Sequence, residues 1–120
     1  MKDNVVRDKA FAFALRVVKL ARYLQDEKRE FVLSKQVLRS GTAIGALVRE
    51  AEHAESKADF AHKMNIALKE ANETLYWMDL LHQSETITAS SFESIRSDSE
   101  ELVKLLVSIV KTTKAALHAK

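Results

Sequence analysis

Apolar side chains recur at alternating spacings of three and four residues in four separate stretches of the chain. In the first stretch, these apolar residues are Val6, Ala10, Phe13, Val17, Leu20 and Leu24. This spacing places them on one face of an α-helix, whereas a half-buried strand requires an alternation of two. The pattern predicts four amphipathic helices, at about residues 5–24, 33–54, 57–83 and 89–118.

Short polar stretches separate the predicted helices and contain residues that can begin the next one. Ser34, Ser56 and either Thr88 or Ser90 are candidate N-caps, because their hydroxyls can accept hydrogen bonds from the free amides of a first helical turn. Connections of a few residues place consecutive helices antiparallel. The predicted fold class is therefore all-α, with residues 1–120 forming a single antiparallel up-down-up-down four-helix bundle.

The composition excludes several classes of function. The chain has 120 residues, with no cysteine, no proline and two glycines. The lack of cysteine excludes disulfides, thiolate metal sites and cysteine nucleophiles, and two glycines do not form a phosphate-binding loop. No apolar run approaches the roughly 20 residues that span a bilayer, and the N-terminus has no hydrophobic signal core. We expect a cytoplasmic protein with no membrane partner.

No residue pattern indicates an active site or a metal centre. Glu50–His53 and Asp79–His82 have spacings similar to those of di-iron bundles, but antiparallel helices would hold the two pairs roughly 25 Å apart in height. His53 and His62 flank one turn and form a weaker candidate zinc or nickel site. No serine, histidine or acid lies in a nucleophile motif, and no loop is long enough to build a pocket. We expect no catalytic residue, metal or cofactor.

Apolar residues on the first and third helices lie away from the predicted core stripes. Exposed apolar patches usually mark interfaces, although neighbouring helices can also cover a wide stripe. Gly41 and Gly45 lie four residues apart inside a helix, which indicates a close helix approach, either within the bundle or between subunits. We therefore expect self-association. The candidate interface residues are Phe11, Leu15, Val18, Gly41, Gly45, Ile66 and Trp77.

The net charge of +2 conceals basic helix faces. Opposite the apolar face of the second helix runs an acid-free stripe made of Lys35, Arg39, Thr42, Ala46, Arg49 and His53. Cations at helical spacing can follow phosphates without reading base sequence, although a solvated helix face is the alternative. Cations on one side of the first helix are expected to extend this stripe. The candidate nucleic-acid-binding residues are Lys9, Arg16, Lys19, Lys35, Arg39 and Arg49.

Arg39 also has a structural alternative. Glu70 and Glu73 on the third helix, and Glu50 on its own helix, are candidate partners for an ion pair. The planar fork of an arginine suits such carboxylates. The sequence leaves open whether Arg39 pairs with one of them or contacts a phosphate.

The second and third predicted helices resemble a known family. The resemblance rests on residues 34–46 (SKQVLRSGTAIGA), 50–51 (EA), 56–60 (SKADF), 66–74 (IALKEANET) and 76–77 (YW). These motifs resemble the bacterial four-helix-bundle family named for proteins encoded in intervening sequences of large-subunit ribosomal RNA genes. That family is related to the accessory variability protein of diversity-generating retroelements. The resemblance implies a homo-oligomer, characteristically a barrel of five subunits, that binds nucleic acid and, for the retroelement relative, reverse transcriptase.

These observations together predict a non-enzymatic, homo-oligomeric helical bundle that binds RNA or DNA through basic helix faces, or serves as an accessory protein. Its expected partners are other copies of itself, nucleic acid and, by resemblance, a reverse transcriptase. The alternative is a protein-interaction scaffold with no nucleic-acid role, in which the basic stripe is only a solubilising surface.

Overall fold

A computed structural model describes residues 4–119 of the chain. It contains the helices α1 (Val5–Asp26), α2 (Leu33–Ala51), α3 (Lys57–Gln83) and α4 (Ala89–Leu117), and no strand among those residues. Each helix packs against the next, and α4 closes back against α1. This arrangement confirms the predicted all-α four-helix bundle, except that residues 1–3 and 120 lie outside the described residues. No described helix is long and apolar enough to cross a membrane.

The core is formed by apolar positions of all four helices, as their spacing predicted. Its largest fully buried side chains include Phe13, Val17 and Leu24 from α1, Val37 and Ile44 from α2, Met64, Met78 and Leu81 from α3, and Leu102 and Leu106 from α4. Full burial of such a side chain stabilises the fold by about 1.5–3 kcal/mol. The inward faces of the helices are therefore occupied by the core, and the outward faces are available to contact ligands or partners.

The start of α2 corrects the prediction that Ser34 is its N-cap. Ser34 is buried within the first turn, where its hydroxyl accepts a hydrogen bond from the Gln25 side chain at 3.2 Å. The Glu30 carboxylate accepts hydrogen bonds from the amides of Val32, Leu33 and Ser34 at 3.2, 2.9 and 2.7 Å. A carboxylate suits this place because the free amides and the helix dipole favour negative charge there.

The other predicted caps are confirmed. Ser56 Oγ accepts a hydrogen bond from the amide of Asp59 at 3.0 Å, at the start of α3. Thr88 Oγ1 accepts one from the amide of Ser91 at 3.2 Å, which makes Thr88 the cap of α4. Each hydroxyl satisfies one of the amides that a helix N-terminus leaves without an intrahelical partner.

Two helix ends differ from the prediction by two residues or more, and the fourth helix ends one residue early, at Leu117. The first helix continues through Gln25 to Asp26, because a polar stretch without glycine or proline does not by itself end a helix. The second ends at Ala51 rather than at residue 54, because the chain turns over residues 52–54 before the Ser56 cap. The connections are therefore short, and they keep neighbouring helices antiparallel.

The two glycines lie where α1 and α2 approach each other. A Cβ at Gly41 would lie 2.7 and 2.8 Å from the two methyl carbons of Val17, whereas a Cβ at Gly45 would lie 3.6 Å from the carbonyl oxygen of Ala10. The predicted close approach is therefore within the bundle. Gly41 is buried inside the subunit, which corrects its assignment to the candidate subunit interface.

The last turns of α4 extend beyond the start of α1. Lys9 Nζ lies 3.0 Å from Glu101 Oε2, and this contact shows which parts of the two helices lie at the same height. The first residue of α1 precedes Lys9 by four positions, whereas α4 continues for 16 residues after Glu101. At 1.5 Å per residue, the difference is about 18 Å of helix. That part of α4 runs alongside α3 without α1 beside it.

Candidate nucleic-acid interface

The basic stripe of α2 lies on the outward face of the helix. Lys35, Arg39 and Arg49 are exposed, and His53 is exposed in the turn that follows the helix. No acidic residue interrupts the stripe in the sequence. Within residues 4–119, neither Lys35 nor Arg49 forms an ion pair, so both cationic groups are open to a ligand.

Arg39 is held by two carboxylates of α3. Its Nη1 donates a hydrogen bond to Glu70 Oε1 at 3.3 Å, and its Nη2 donates one to Glu73 Oε2. The same Glu73 oxygen accepts a hydrogen bond from the indole nitrogen of Trp77 at 2.9 Å. Of the two alternatives that the sequence left open for Arg39, the structure shows the ion pair, and its partners are Glu70 and Glu73.

The three candidate cations of α1 face α4 rather than the stripe of α2. Arg16 Nη1 donates a hydrogen bond to Asp98 Oδ2 at 2.7 Å, and its Nη2 donates one to Ser94 Oγ at 2.9 Å. Lys9 pairs with α4 as described above. The expectation that these residues extend the α2 stripe is therefore wrong. The rotation of α1 about its own axis places this side of the helix next to α4, and its register places Lys9 and Arg16 beside acids of α4.

Lys19 belongs to a cleft of about 580 Å³ between α1 and the start of α4. Arg16, Tyr23 and several hydroxyl side chains share its lining. Lys19 is exposed and forms no ion pair with the described residues. A cation beside hydroxyl donors is suited to an anionic group, but this cleft is separated from the α2 stripe.

Two of the candidate interface residues form an apolar patch beside the basic stripe. Phe11 and Leu15 are 52% and 51% exposed. Phe11 lines a cleft of about 240 Å³ between α1 and α2, together with Gly45 and Ala46. The Arg49 guanidinium carbon lies 5.4 Å from the centre of the Phe11 ring, in cation–π geometry. The apolar patch and the stripe are therefore contiguous.

The remaining candidate interface residues are less exposed. Val18, Ile66 and Trp77 are all partly buried, and Trp77 packs against the core. Its neighbour Tyr76 is 57% exposed and meets the Trp77 ring edge-on, with 5.0 Å between ring centres. Tyr76 is not among the predicted interface residues, although its position opposite the apolar face of α3 indicates an exposed aromatic side chain.

Asp79 and His82, whose spacing is similar to that of a di-iron ligand pair, take part in other contacts. Asp79 accepts a hydrogen bond from Arg96 at 2.6 Å, and the His82 ring stacks on Phe92 with centres 4.1 Å apart. Hydrogen bonding to Glu100, together with the charge of Asp79, raises the pKa of Arg96 above its ordinary value. Among residues 4–119, no group of three or more His, Cys, Asp or Glu side chains is arranged to hold a metal ion.

Fold and site together define the chain as a small helical bundle with an exposed basic face. Residues 2–108 match the family described as 23S rRNA-intervening sequence protein, and the chain belongs to this family. The chain is also similar to a crystal structure of a protein of unknown function from the S23 ribosomal protein family of Bacteroides thetaiotaomicron VPI-5482. That similarity has 61% identity and a TM-score of 0.89, and it covers 92% of this chain and 99% of the other. No curated protein matches the chain. The family membership confirms the resemblance identified from the sequence motifs.

Proposed function

We propose that this chain is a non-enzymatic, homo-oligomeric bundle that binds RNA or DNA through the outward face of α2. The observation that carries the proposal is the pair of exposed cations on this face, Lys35 and Arg49, with no ion pair in residues 4–119 and no acid in the stripe. Such cations neutralise phosphates and release counterions, which supplies affinity without base readout. The stripe contains no phenylalanine, tyrosine or tryptophan, so binding to the backbone is favoured over base stacking.

Self-association is supported by the apolar patch beside this face. Phe11 and Leu15 are about half exposed, and Gly45 and Ala46 leave an open cleft next to them. Apolar patches on soluble proteins usually lie at interfaces. The family resemblance favours five subunits, and a closed ring would present five copies of the Lys35–Arg49 face. Repetition of a weak site raises the overall affinity for a long ligand.

The absence of enzymatic activity is part of the proposal. The connections at residues 27–32, 52–56 and 84–88 have only five or six residues each. Catalytic pockets are commonly built from longer loops on a rigid scaffold, and these connections are too short to enclose a substrate. We further propose a cytoplasmic location, and the resemblance adds a reverse transcriptase as a candidate partner.

A protein-interaction scaffold is the second candidate function. It is favoured by the ion pairs of three candidate cations, since Lys9, Arg16 and Arg39 are each held by a carboxylate. In that case the basic stripe serves solubility, and the apolar patch binds another protein. A pull-down from nuclease-treated extract would then retain a stoichiometric protein partner, whereas a nucleic-acid-dependent partner would be lost.

Charge reversal on α2 tests the proposed function. The variant Lys35→Glu/Arg49→Glu is compared with Lys28→Glu/Lys69→Glu, which makes the same change in charge at exposed positions outside the stripe. The probe is a fluorescently labelled RNA of three consecutive hairpins, at about 50 mM salt. We expect the α2 variant to lose at least about tenfold in affinity and the control to lose much less.

Light scattering on both variants checks that the oligomer is unchanged. Equal losses in the two variants, or no binding by the wild-type protein at low salt, would overturn the proposal. A wild-type protein that is monomeric at micromolar concentration would overturn its self-association part.

A further inference from the structure

The second half of α4 carries exposed lysines that do not belong to the α2 surface. Lys104 and Lys111 lie two turns apart, with about 20° between them around the helix and about 10 Å along it. Lys114 and His118 lie on the same side of the chain, and all four residues are exposed. From residue 102 to the C-terminus, the sequence contains no aspartate or glutamate. This side of α4 therefore carries basic residues and no carboxylate.

Carboxylates do not neutralise these lysines. Within residues 4–119, Lys104, Lys111 and Lys114 form no ion pair, whereas Lys9 and Arg16 of α1 pair with Glu101 and Asp98 in the first half of α4. The helix dipole favours a cation such as Lys114 in the last turn, but this effect falls off within that turn. It does not explain Lys104 and Lys111, which lie further back.

The surroundings of the lysines suit a phosphate backbone. Ser108 and Thr112 lie beside them along a shallow groove of about 430 Å³, and hydroxyls of this kind donate hydrogen bonds to phosphate oxygens. Val107 is the large apolar residue exposed here, at 38%. A helix that binds in a membrane surface needs several bulky apolar residues to insert, so this side of α4 fits nucleic acid better than lipid.

We propose that Lys104, Lys111 and Lys114, here called the α4 basic face, form a second contact for the phosphate backbone of structured nucleic acid. These lysines span about 15 Å along the helix, close to the length of four base pairs of B-form DNA at 3.4 Å each. The helices α2 and α4 lie diagonally across the bundle, since each packs between α1 and α3. The α4 basic face therefore engages a different stretch of the nucleic acid from the α2 stripe. The inference rests on the proposed function.

Salt titration of RNA binding tests the inference. The variant Lys104→Gln/Lys111→Gln is compared with Lys104→Arg/Lys111→Arg, which keeps the charge, and with Lys28→Gln/Lys69→Gln, which removes the same charge elsewhere. The probe is the labelled RNA of three consecutive hairpins, long enough to cross the 26 Å width of the bundle. Each lost phosphate contact removes about 0.7–0.9 from the slope of log K against log salt. We expect the α4 glutamine variant to lose about 1.5 from this slope, and the other two to keep the wild-type slope within error.

The outcomes separate this inference from the proposed function. If the wild-type protein binds no RNA, the proposed function and the α4 basic face are both overturned. If the wild-type protein binds RNA and charge reversal on α2 weakens it, but the α4 glutamine variant keeps the wild-type slope, only the α4 basic face is overturned. The α4 basic face is also overturned if Lys104 and Lys111 are needed for binding to phosphatidylserine vesicles and not for binding to RNA. Circular dichroism of each variant confirms that the helices are intact.

Discussion

Gly41 of α2 lies directly against Val17 of α1, and a Cβ at position 41 would lie 2.7 and 2.8 Å from the two valine methyl carbons. Val17 is fully buried, and a β-branched side chain in a helix has one strongly preferred rotamer, so these methyls cannot turn away. This contact sets the spacing of α1 and α2. It explains a glycine inside a helix, where glycine is otherwise unfavourable by about 1 kcal/mol relative to alanine.

The two glycines are predicted to respond oppositely to alanine. Gly41→Ala should lower the free energy of unfolding by about 1–2 kcal/mol, because overpacking against Val17 exceeds the gain in helix propensity. Gly45→Ala should raise it by about 0.5–1 kcal/mol, since a Cβ there makes ordinary contact with Ala10. Urea unfolding at matched protein concentration measures both. Stabilisation by both substitutions would contradict the close contact. A smaller loss in the free energy of unfolding when Gly41→Ala is made in a Val17→Ala background would support it.

The Glu30 carboxylate is predicted to hold the start of α2. Glu30→Ala removes the acceptor of three amide hydrogen bonds and should lower the free energy of unfolding by about 1–2 kcal/mol. Glu27→Ala, an exposed change in the same connection, is the matched control and should have little effect. Thermal unfolding followed by circular dichroism distinguishes them, and equal shifts would show that Glu30 is not a cap.

The end of α3 should be stabilised by a glycine. Glu85 has a positive φ of 62°, and its amide donates a hydrogen bond to the His82 carbonyl at 3.0 Å, while the Thr86 amide donates one to the Leu81 carbonyl at 2.9 Å. This is the Schellman arrangement, whose left-handed residue is usually glycine. Glu85→Gly should therefore raise the free energy of unfolding by about 1 kcal/mol, and Glu85→Ala should not. An equal gain in both variants would assign the effect to charge instead.

Arg39 is predicted to contribute less to RNA binding than Lys35. Its guanidinium is already held by Glu70 and Glu73, whereas Lys35 forms no ion pair within residues 4–119. Arg39→Gln should therefore weaken RNA binding less than Lys35→Gln does, and should lower the free energy of unfolding by at most about 1 kcal/mol, as is typical of exposed ion pairs. Fluorescence titration of the two variants measures this, and a larger loss of affinity with Arg39→Gln would contradict it.

The helices could be predicted because their apolar spacing reflects burial directly. Positions such as Phe13 and Val17 lie on the predicted stripe of the first helix and are almost completely buried. The cap of α2 could not be predicted in the same way. Ser34 has the residue type of an N-cap, but a longer side chain, Glu30, reaches the same amides from the connection. A serine near the start of a predicted helix therefore indicates the position of that start. It does not identify which side chain accepts the hydrogen bonds of the free amides.

The grouping of the cations could not be predicted from the spacing of residues within each helix. Lys9 and Arg16 meet Glu101 and Asp98 because of the rotation and register of α1 against α4, which many different sequence positions determine together. The pairing of Arg39 with Glu70 and Glu73 was among the alternatives, since these residues lie at helical spacing on the next helix. The basic second half of α4 was readable as an acid-free segment, but which side of the helix is exposed follows from the way α4 packs in the bundle.

The salt dependence of RNA affinity for the wild-type protein is the most direct test of nucleic-acid binding by the basic helix faces. With five phosphate contacts, from Lys35, Arg49 and the three lysines of the α4 basic face, we predict that log K falls linearly with log salt, with a slope of about −3.5 or steeper for the three-hairpin RNA. A slope near zero, or no measurable binding at about 50 mM salt, would contradict nucleic-acid binding through these faces.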